Sequence, residues 1–215
     1  MYDVPAFREA RVEVLHALIR AHPLATLVTF SSDAAAGLEA NHIPLLIDPA
    51  PGPDRPFGTL RGHVARANPL WRGFNADVEA LAIFQGPQGY VTPSWYPSKT
   101  QHGKVVPTWN YAVVHARGTP VVLEDAASVL RIVSALTDTH EARQAHPWQV
   151  GDAPPAFVDQ MLRAIVGIEI PIEQLVGKWK VSQNRSADDR AGVAAGLRAQ
   201  DPTDPMAALV APPSP

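Results

Sequence analysis

The stretch from Gly89 to Tyr111, GYVTPSWYPSKTQHGKVVPTWNY, constrains this chain more than any other. It carries Pro93, Pro97 and Pro107, and each proline fixes φ and removes a backbone donor. One smooth central strand therefore cannot run through it. It reads as a strand end, a structured loop and the start of the next strand. Trp95, Trp109, Tyr90, Tyr96, Tyr111, Lys99 and Lys104 crowd into it. Two readings stay open. Loops that combine aromatics and charge on a rigid scaffold carry function. A long hairpin connection anchored by buried Trp would use the same residues.

The remaining composition narrows the classes. The 215 residues are 46% hydrophobic and 18% charged, enough for one large domain or a domain with a small appendage. A net charge of -3 gives no general electrostatic case for binding nucleic acid. With no cysteine, disulfides, thiolate nucleophiles and Cys-ligated zinc or iron–sulfur sites are excluded. No run approaches the ~20 apolar residues of a membrane span, and the first residues lack a secretory pattern. The expectation is a cytoplasmic protein.

In chain order, residues 5–21 are expected to be helical, with Phe7, Val14, Leu15, Leu18 and Ile19 on one face and Pro23 as the stop. Residues 24–30 read as a buried strand, 31–37 as a turn and 38–48 as a second strand completing a hairpin. Within that second strand Asn41, Ile43 and Leu45 share one face, and Ala40, His42 and Pro44 the other. Pro44 points to a sheet edge or a bulge. A loop over 49–58 and a third strand over 59–65 follow. Asn68-Pro69 then supplies a cap and first turn for a short helix. Arg61, His63 and Arg66 precede that helix start, which makes it a candidate anion site.

Further strands are expected at 78–84, 111–124 (broken at Gly118-Thr119-Pro120) and 167–184, with a turn at 85–89. Helices are expected at 125–141, capped by Asp125, and at 154–166, capped by Asp152 with Phe157, Met161, Leu162 and Ile165 inward. A last helix opens at Ser186 and runs to about Arg198, followed by a frayed tail. Strands in hairpin order with short connections favour antiparallel pairing, so the class is mainly β with helices, α+β. A small barrel flanked by helices fits best. Residues 1–186 are expected to form the main domain, with 187–215 a C-terminal helix and tail on or beside it.

Several constellations fail on spacing. His140-Glu141 and His146 do not place two His at i and i+4, so no metal site is expected. There is no nucleophile elbow, Walker loop or dinucleotide fingerprint. Gly192 and Gly196 suit close helix packing. No catalytic residue is assigned. Three segments remain: 60–71, 91–111 and 177–186. In the last, Lys178 and Lys180 alternate with Trp179 and Val181, which also suits a solvated strand with one core Trp. Together the segments suit a planar, phosphorylated ligand. Arg61, His63, Arg66 and Asn68 could meet the phosphate; Asn41, Asn110 and Gln183 could meet a ring edge.

Long strings in these segments resemble the PaiB family of FMN-binding negative transcriptional regulators. They include EANHIPLL at 39–46, LRGHVARANPLW at 60–71, FQGPQGYVTPSWYPSK at 84–99, VVPTWNYAVVHARG at 105–118 and GKWKVSQNRS at 177–186. The resemblance implies a split β-barrel of the FMN-binding type, a homodimer with FMN at the subunit interface. Carried over, Asn41, His42 and Ile43 would line the flavin ring. Arg61, Gly62, His63, Arg66 and Asn68 would form the phosphate side. Trp109 and Asn110 would come from the partner, and Trp179, Lys180, Gln183 and Asn184 would close the site. The implied function is transcriptional repression, although no helix-turn-helix or strong basic footprint is visible and DNA contact has little support in the sequence. A flavin-dependent oxidoreductase using the same pocket is the alternative.

Overall fold

The computed structural model describes residues 1–2, 4–31, 37–75 and 77–211. Two compact units emerge, each assembled from separated stretches of chain: Met1–Leu15, Gln85–Val114 and Val176–Pro215 in one, His16–Phe84 and His115–Leu175 in the other. In chain order the elements are β1 (Arg8–Glu9), α1 (Val12–Ala21), β2 (Leu24–Phe30), β3 (Leu38–Pro44), β4 (Leu46–Asp48) and β5 (Thr59–Ala65). Then come β6 (Ala80–Val91), α2 (Ser98–His102), β7 (Thr108–Gly118), β8 (Val121–Leu123) and α3 (Ala126–Glu141). The last are α4 (Pro155–Arg163), β9 (Ile165–Pro171), β10 (Gln174–Lys180), α5 (Ala187–Gln200) and α6 (Pro205–Val210). The class is α+β, and every strand pairing for which a register is defined is antiparallel.

The His16–Phe84 and His115–Leu175 unit holds the hairpin β2–β3, in which Leu27 faces Asn41 and Ala25 faces Ile43. On its other side β2 pairs with β6 at Leu81–Ile83. A second sheet runs β4-β5-β9-β8. Its core is aliphatic: Leu27, Leu45, Leu60 and Ile168 are fully buried. α3 lies on β5 and β9. Pro44 ends β3, which is the edge strand of its sheet, as the missing proline donor requires.

The expected strand over 38–48 is in fact two strands in two sheets. Leu45 breaks it by donating its N–H to the Pro23 carbonyl at 2.9 Å. Likewise 167–184 divides into β9 and β10. The helix expected from residue 5 begins at Val12, because Pro5–Phe7 is a short 3-10 turn and Arg8–Glu9 pair with Lys178 and Gly177. The turn expected at 85–89 is absent: β6 runs straight through, and Pro87 falls beyond the residues paired with β2. Asp152 does not cap α4. It closes a preceding 3-10 turn by accepting from Gln149 N, and Pro154 is the cap residue of α4. Phe157 and Met161 lie outward, not inward. The turn expected at 31–37 falls, for residues 32–36, outside the described residues.

In the unit containing Gln85–Val114, the Pro-rich stretch behaves as its prolines require. β6 ends, Pro93–Trp95 form a 3-10 turn capped by Thr92, and α2 ends at Gly103 in the left-handed region at φ 66°. β7 then begins at Thr108. Trp95 is an anchor: Gly192 and Gly196 of α5 lie against its backbone and ring so closely that a Cβ at either would overlap it. Val91, Tyr96, Val181, Leu197 and Met206 complete this core. α6 buries Met206, Ala207 and Val210, so the tail is ordered at 205–210 rather than frayed.

Candidate functional site

The candidate ligand residues divide between the two units. On β3 and β5 the alternation of side chains decides which can meet. Asn41 projects from β3 on the Ile43 side, while His42 lies on the exposed side. Beyond β5, Asn68 caps the 3-10 turn Pro69–Arg72 by accepting from Leu70 N at 2.9 Å. Its amide nitrogen donates to Asn41 Oδ1 at 3.0 Å. The edge strand and the capped turn are thereby locked together. The Asn41 amide nitrogen keeps its donors free of protein partners among the described residues.

Within β5, Arg61 and His63 point to one face and Gly62 to the other. A Cβ on Gly62 would lie 2.7 Å from the Pro44 carbonyl oxygen, so glycine lets the β3–β4 junction cross here. Ile43 is buried in this contact and presents no open surface. Arg61 is held by carboxylates on both neighbouring strands. Its Nη1 donates to Asp48 Oδ2 at 2.7 Å and its Nε to Glu169 Oε1 at 2.6 Å. Backbone donation from Ala50, and then Arg61 itself, keep the Asp48 pKa below the usual carboxylate range.

Arg66 turns elsewhere. It donates from Nε to the Arg163 carbonyl at 2.9 Å, from Nη2 to the Ile165 carbonyl at 3.3 Å and from Nη1 to Glu124 Oε2 at 2.7 Å. Glu124 is 54% exposed, so this ion pair is solvated and replaceable. Trp71 lies beside it, donating Nε1–H to the Arg66 carbonyl at 3.1 Å. Arg61, Arg66 and Asn68 thus engage three different sets of partners, His63 Nδ1 is buried without one, and only Asn68 joins Asn41 directly.

In the other unit, Trp109 is half exposed, donates Nε1–H to Gln88 at 3.0 Å and meets Tyr90 with ring centroids 6.2 Å apart. Asn110 is buried; its Nδ2 donates to Ser182 Oγ at 2.9 Å and its Oδ1 has no partner. Ser182 sits at φ 63°, a strained conformation for a side-chain-bearing residue. Gln183 is folded back, accepting from Val181 N and donating to the Trp179 carbonyl. Lys180 donates to Thr108 Oγ1 at 2.7 Å. Trp179 is half-buried beside the core, and Asn184 is exposed. Gln183 thus holds its own turn, whereas Asn110 and Lys180 tie β7 to the segment around Ser182.

Sequence reasoning missed Asp48, Glu124 and Glu169, the carboxylates that claim the two arginines. Strand alternation put Arg61 on a face, but only the β5–β9 register sets Glu169 opposite it. Nor does any local pattern mark the cavity beside His63.

Burial lowers the pKa of His63, and of His16 and His115. Their folded values lie below the unfolded value of about 6.5, so the unfolded chain takes up protons first. Stability is full above about pH 6.5 and falls as pH drops through that value. Thermal melts should show a lower midpoint at about pH 5.5 than at about pH 7.5. Equal midpoints would contradict neutral burial of these rings.

The family described as "Putative FMN-binding domain" matches residues 1–174. The chain belongs to this family. A Bacillus subtilis (strain 168) relative, "Protease synthase and sporulation protein PAI 2", is 30% identical, over 94% of this chain and 91% of its own. The PaiB resemblance is therefore kinship. The Emericella nidulans protein AN0679 is 35% identical over 92% of this chain and 90% of its own. Among solved structures, "Structure of the FAD and Heme binding protein from Mycobacterium smegmatis" matches at TM-score 0.59 and 18% identity, over 88% of this chain and 80% of that one. At that identity the likeness is one of fold, the split β-barrel type of flavin-binding proteins. No helix among the described residues is long and apolar enough to cross a membrane.

Proposed function

We propose that this protein binds FMN as a cytoplasmic homodimer and acts as a PaiB-like negative transcriptional regulator. The observation that carries the cofactor reading is the Asn68–Asn41 bond. It joins the strand that would run along the flavin ring to the turn that would flank the phosphate. The donor set suits FMN: Asn41 has free amide hydrogens, His42 is exposed, and Arg66 can exchange its solvated Glu124 for a phosphate. Bound FMN would supply hydride or one-electron chemistry, with the protein supplying position and electrostatics. The half-exposed Tyr90–Trp109 pair gives a partner subunit an aromatic surface to cover. The regulatory role rests on the kinship with the Bacillus subtilis relative.

A flavin-dependent oxidoreductase is the second reading, favoured by the fold shared with a protein described as binding FAD and haem. The visible spectrum of the purified protein, with and without added FMN, tests the cofactor. Retardation of promoter DNA, lost at moderate salt, supports the regulator; flavin-dependent consumption of NADH or NADPH supports the enzyme. Arg66→Ala is expected to weaken FMN about tenfold or more while changing riboflavin little, because only FMN carries the phosphate. Equal losses for the two flavins would remove Arg66 from the phosphate site.

A further inference from the structure

A cavity of about 360 Å³ opens beside β5 in the His16–Phe84 and His115–Leu175 unit, on the His63 face. His63, Glu141 and Trp148 line it, together with Pro44, Leu136, Thr137 and His140. Gly62, against which Ile43 and Leu45 pack, points the opposite way, so the cavity lies on the α3 side of the strand.

The chemistry of its walls is specific. His63 Nδ1 is buried without a partner. A bare ring nitrogen costs less there than an orphaned N–H, which favours the tautomer with its proton on Nε2. Burial also opposes a second proton on this ring. His63 therefore offers one donor, which asks for an acceptor on the ligand. Glu141 makes the opposite demand. Its Oε2 accepts from Trp148 N at 3.1 Å, which holds the Trp148 segment against α3. Its Oε1 has no protein partner among the described residues. The negative end of the α3 dipole lies at the same place. Both ask for a donor and discourage an anion. Trp148 is 46% exposed and offers an apolar face, with Leu136 and Pro44 as further apolar wall.

We propose that this cavity binds a small planar aromatic ring bearing a neutral amide, its carbonyl on His63 and its N–H on Glu141, with the ring against Trp148. A nicotinamide or lactam head group is of this class. The site is separate from the Asn41–Asn68 pair, and the inference does not rest on FMN binding.

The test is calorimetric titration of the full chain with nicotinamide and with benzoate, an isosteric anion, in the absence and presence of FMN. Saturable 1:1 nicotinamide binding is expected, at least about tenfold tighter than benzoate. Trp148→Ala and His63→Leu should each weaken nicotinamide about tenfold, with melting curves confirming a folded chain. If His63→Leu does not fold, the half-exposed Trp148 carries the test. The proposal fails if nicotinamide does not saturate, if benzoate binds as tightly, or if Trp148→Ala binds unchanged. It also fails if FMN and nicotinamide displace each other, which would make the cavity part of the flavin site. Whether FMN binds at all is read separately from its visible spectrum, so the two readings can fail independently.

Discussion

Gly118→Ala is expected to lower the thermal midpoint by roughly 10 °C, a destabilisation of about 3–5 kcal/mol. Gly118 closes β7, and the Arg117 carbonyl beside it accepts from Glu173 N at 2.9 Å. A Cβ added at Gly118 would overlap the Pro171 carbonyl oxygen and would also press on Ile170 Cγ2 at 3.3 Å. The first obstacle is backbone, so no rotamer change removes it. β9 would have to part from this segment, and β9 carries Glu169, the partner of Arg61. Loss of stability should therefore come with disturbance of the Arg61 clamp. Gly151→Ala is the control, since a Cβ there meets nothing within 4 Å. Scanning calorimetry of both variants checks the idea. A Gly118→Ala midpoint within about 2 °C of the parent would mean the close approach is not maintained in solution.

How much of this could be read from the chain depends on whether local or distant residues decide. β2 and β5 were legible residue for residue, because their β-branched and apolar runs are bounded by turn chemistry. The Asn68 cap and the Asp125 cap of α3 were legible for the same reason: their partners lie within three residues. The packing role of Gly192 and Gly196 was readable as helix spacing, but Trp95 as their partner was not. The failures share a cause. At Leu45 the strand broke because Pro23 supplied an acceptor in another part of the chain. At Pro87 the strand continued because β2 had already stopped pairing. At Phe157 and Met161 a helical face existed, but the more deeply buried side was set by α3 and β9 around Leu162.

The candidate site shows the same division more sharply. Sequence grouped Arg61, His63, Arg66 and Asn68 as one cationic, amide-bearing edge, since residue type and nearness in the chain suggest convergence. A strand alternates, and a carboxylate arriving from elsewhere can claim a cation. Arg61 received two such carboxylates, while Arg66 received one exposed carboxylate and two carbonyls. A difference between an arginine fixed by half-buried carboxylates and one whose counter-ion is solvated thus follows from exposure of the counter-ion, which no local pattern records.

That difference can be measured. Arg61→Ala is expected to destabilise the fold by about 2–4 kcal/mol while leaving the preference for FMN over riboflavin in place. Removing the guanidinium leaves Asp48 and Glu169, each about 30% exposed, without the cation they share, with only the weaker attraction of Arg55 remaining at Asp48. Arg61→Ala combined with Asp48→Asn and Glu169→Gln should recover much of the loss, because the charges left without that cation are gone. The acid limb adds a second readout. Asp48 has a folded pKa below its unfolded value, so its contribution is present above about pH 4 and disappears as pH falls through the folded value. Arg61→Ala should shrink that acid-labile part without abolishing it, since Ala50 N still donates to Asp48 at 3.0 Å. If Arg61→Ala instead leaves the melt unchanged and selectively weakens FMN, Arg61 is a phosphate ligand and the two carboxylates are its placeholders.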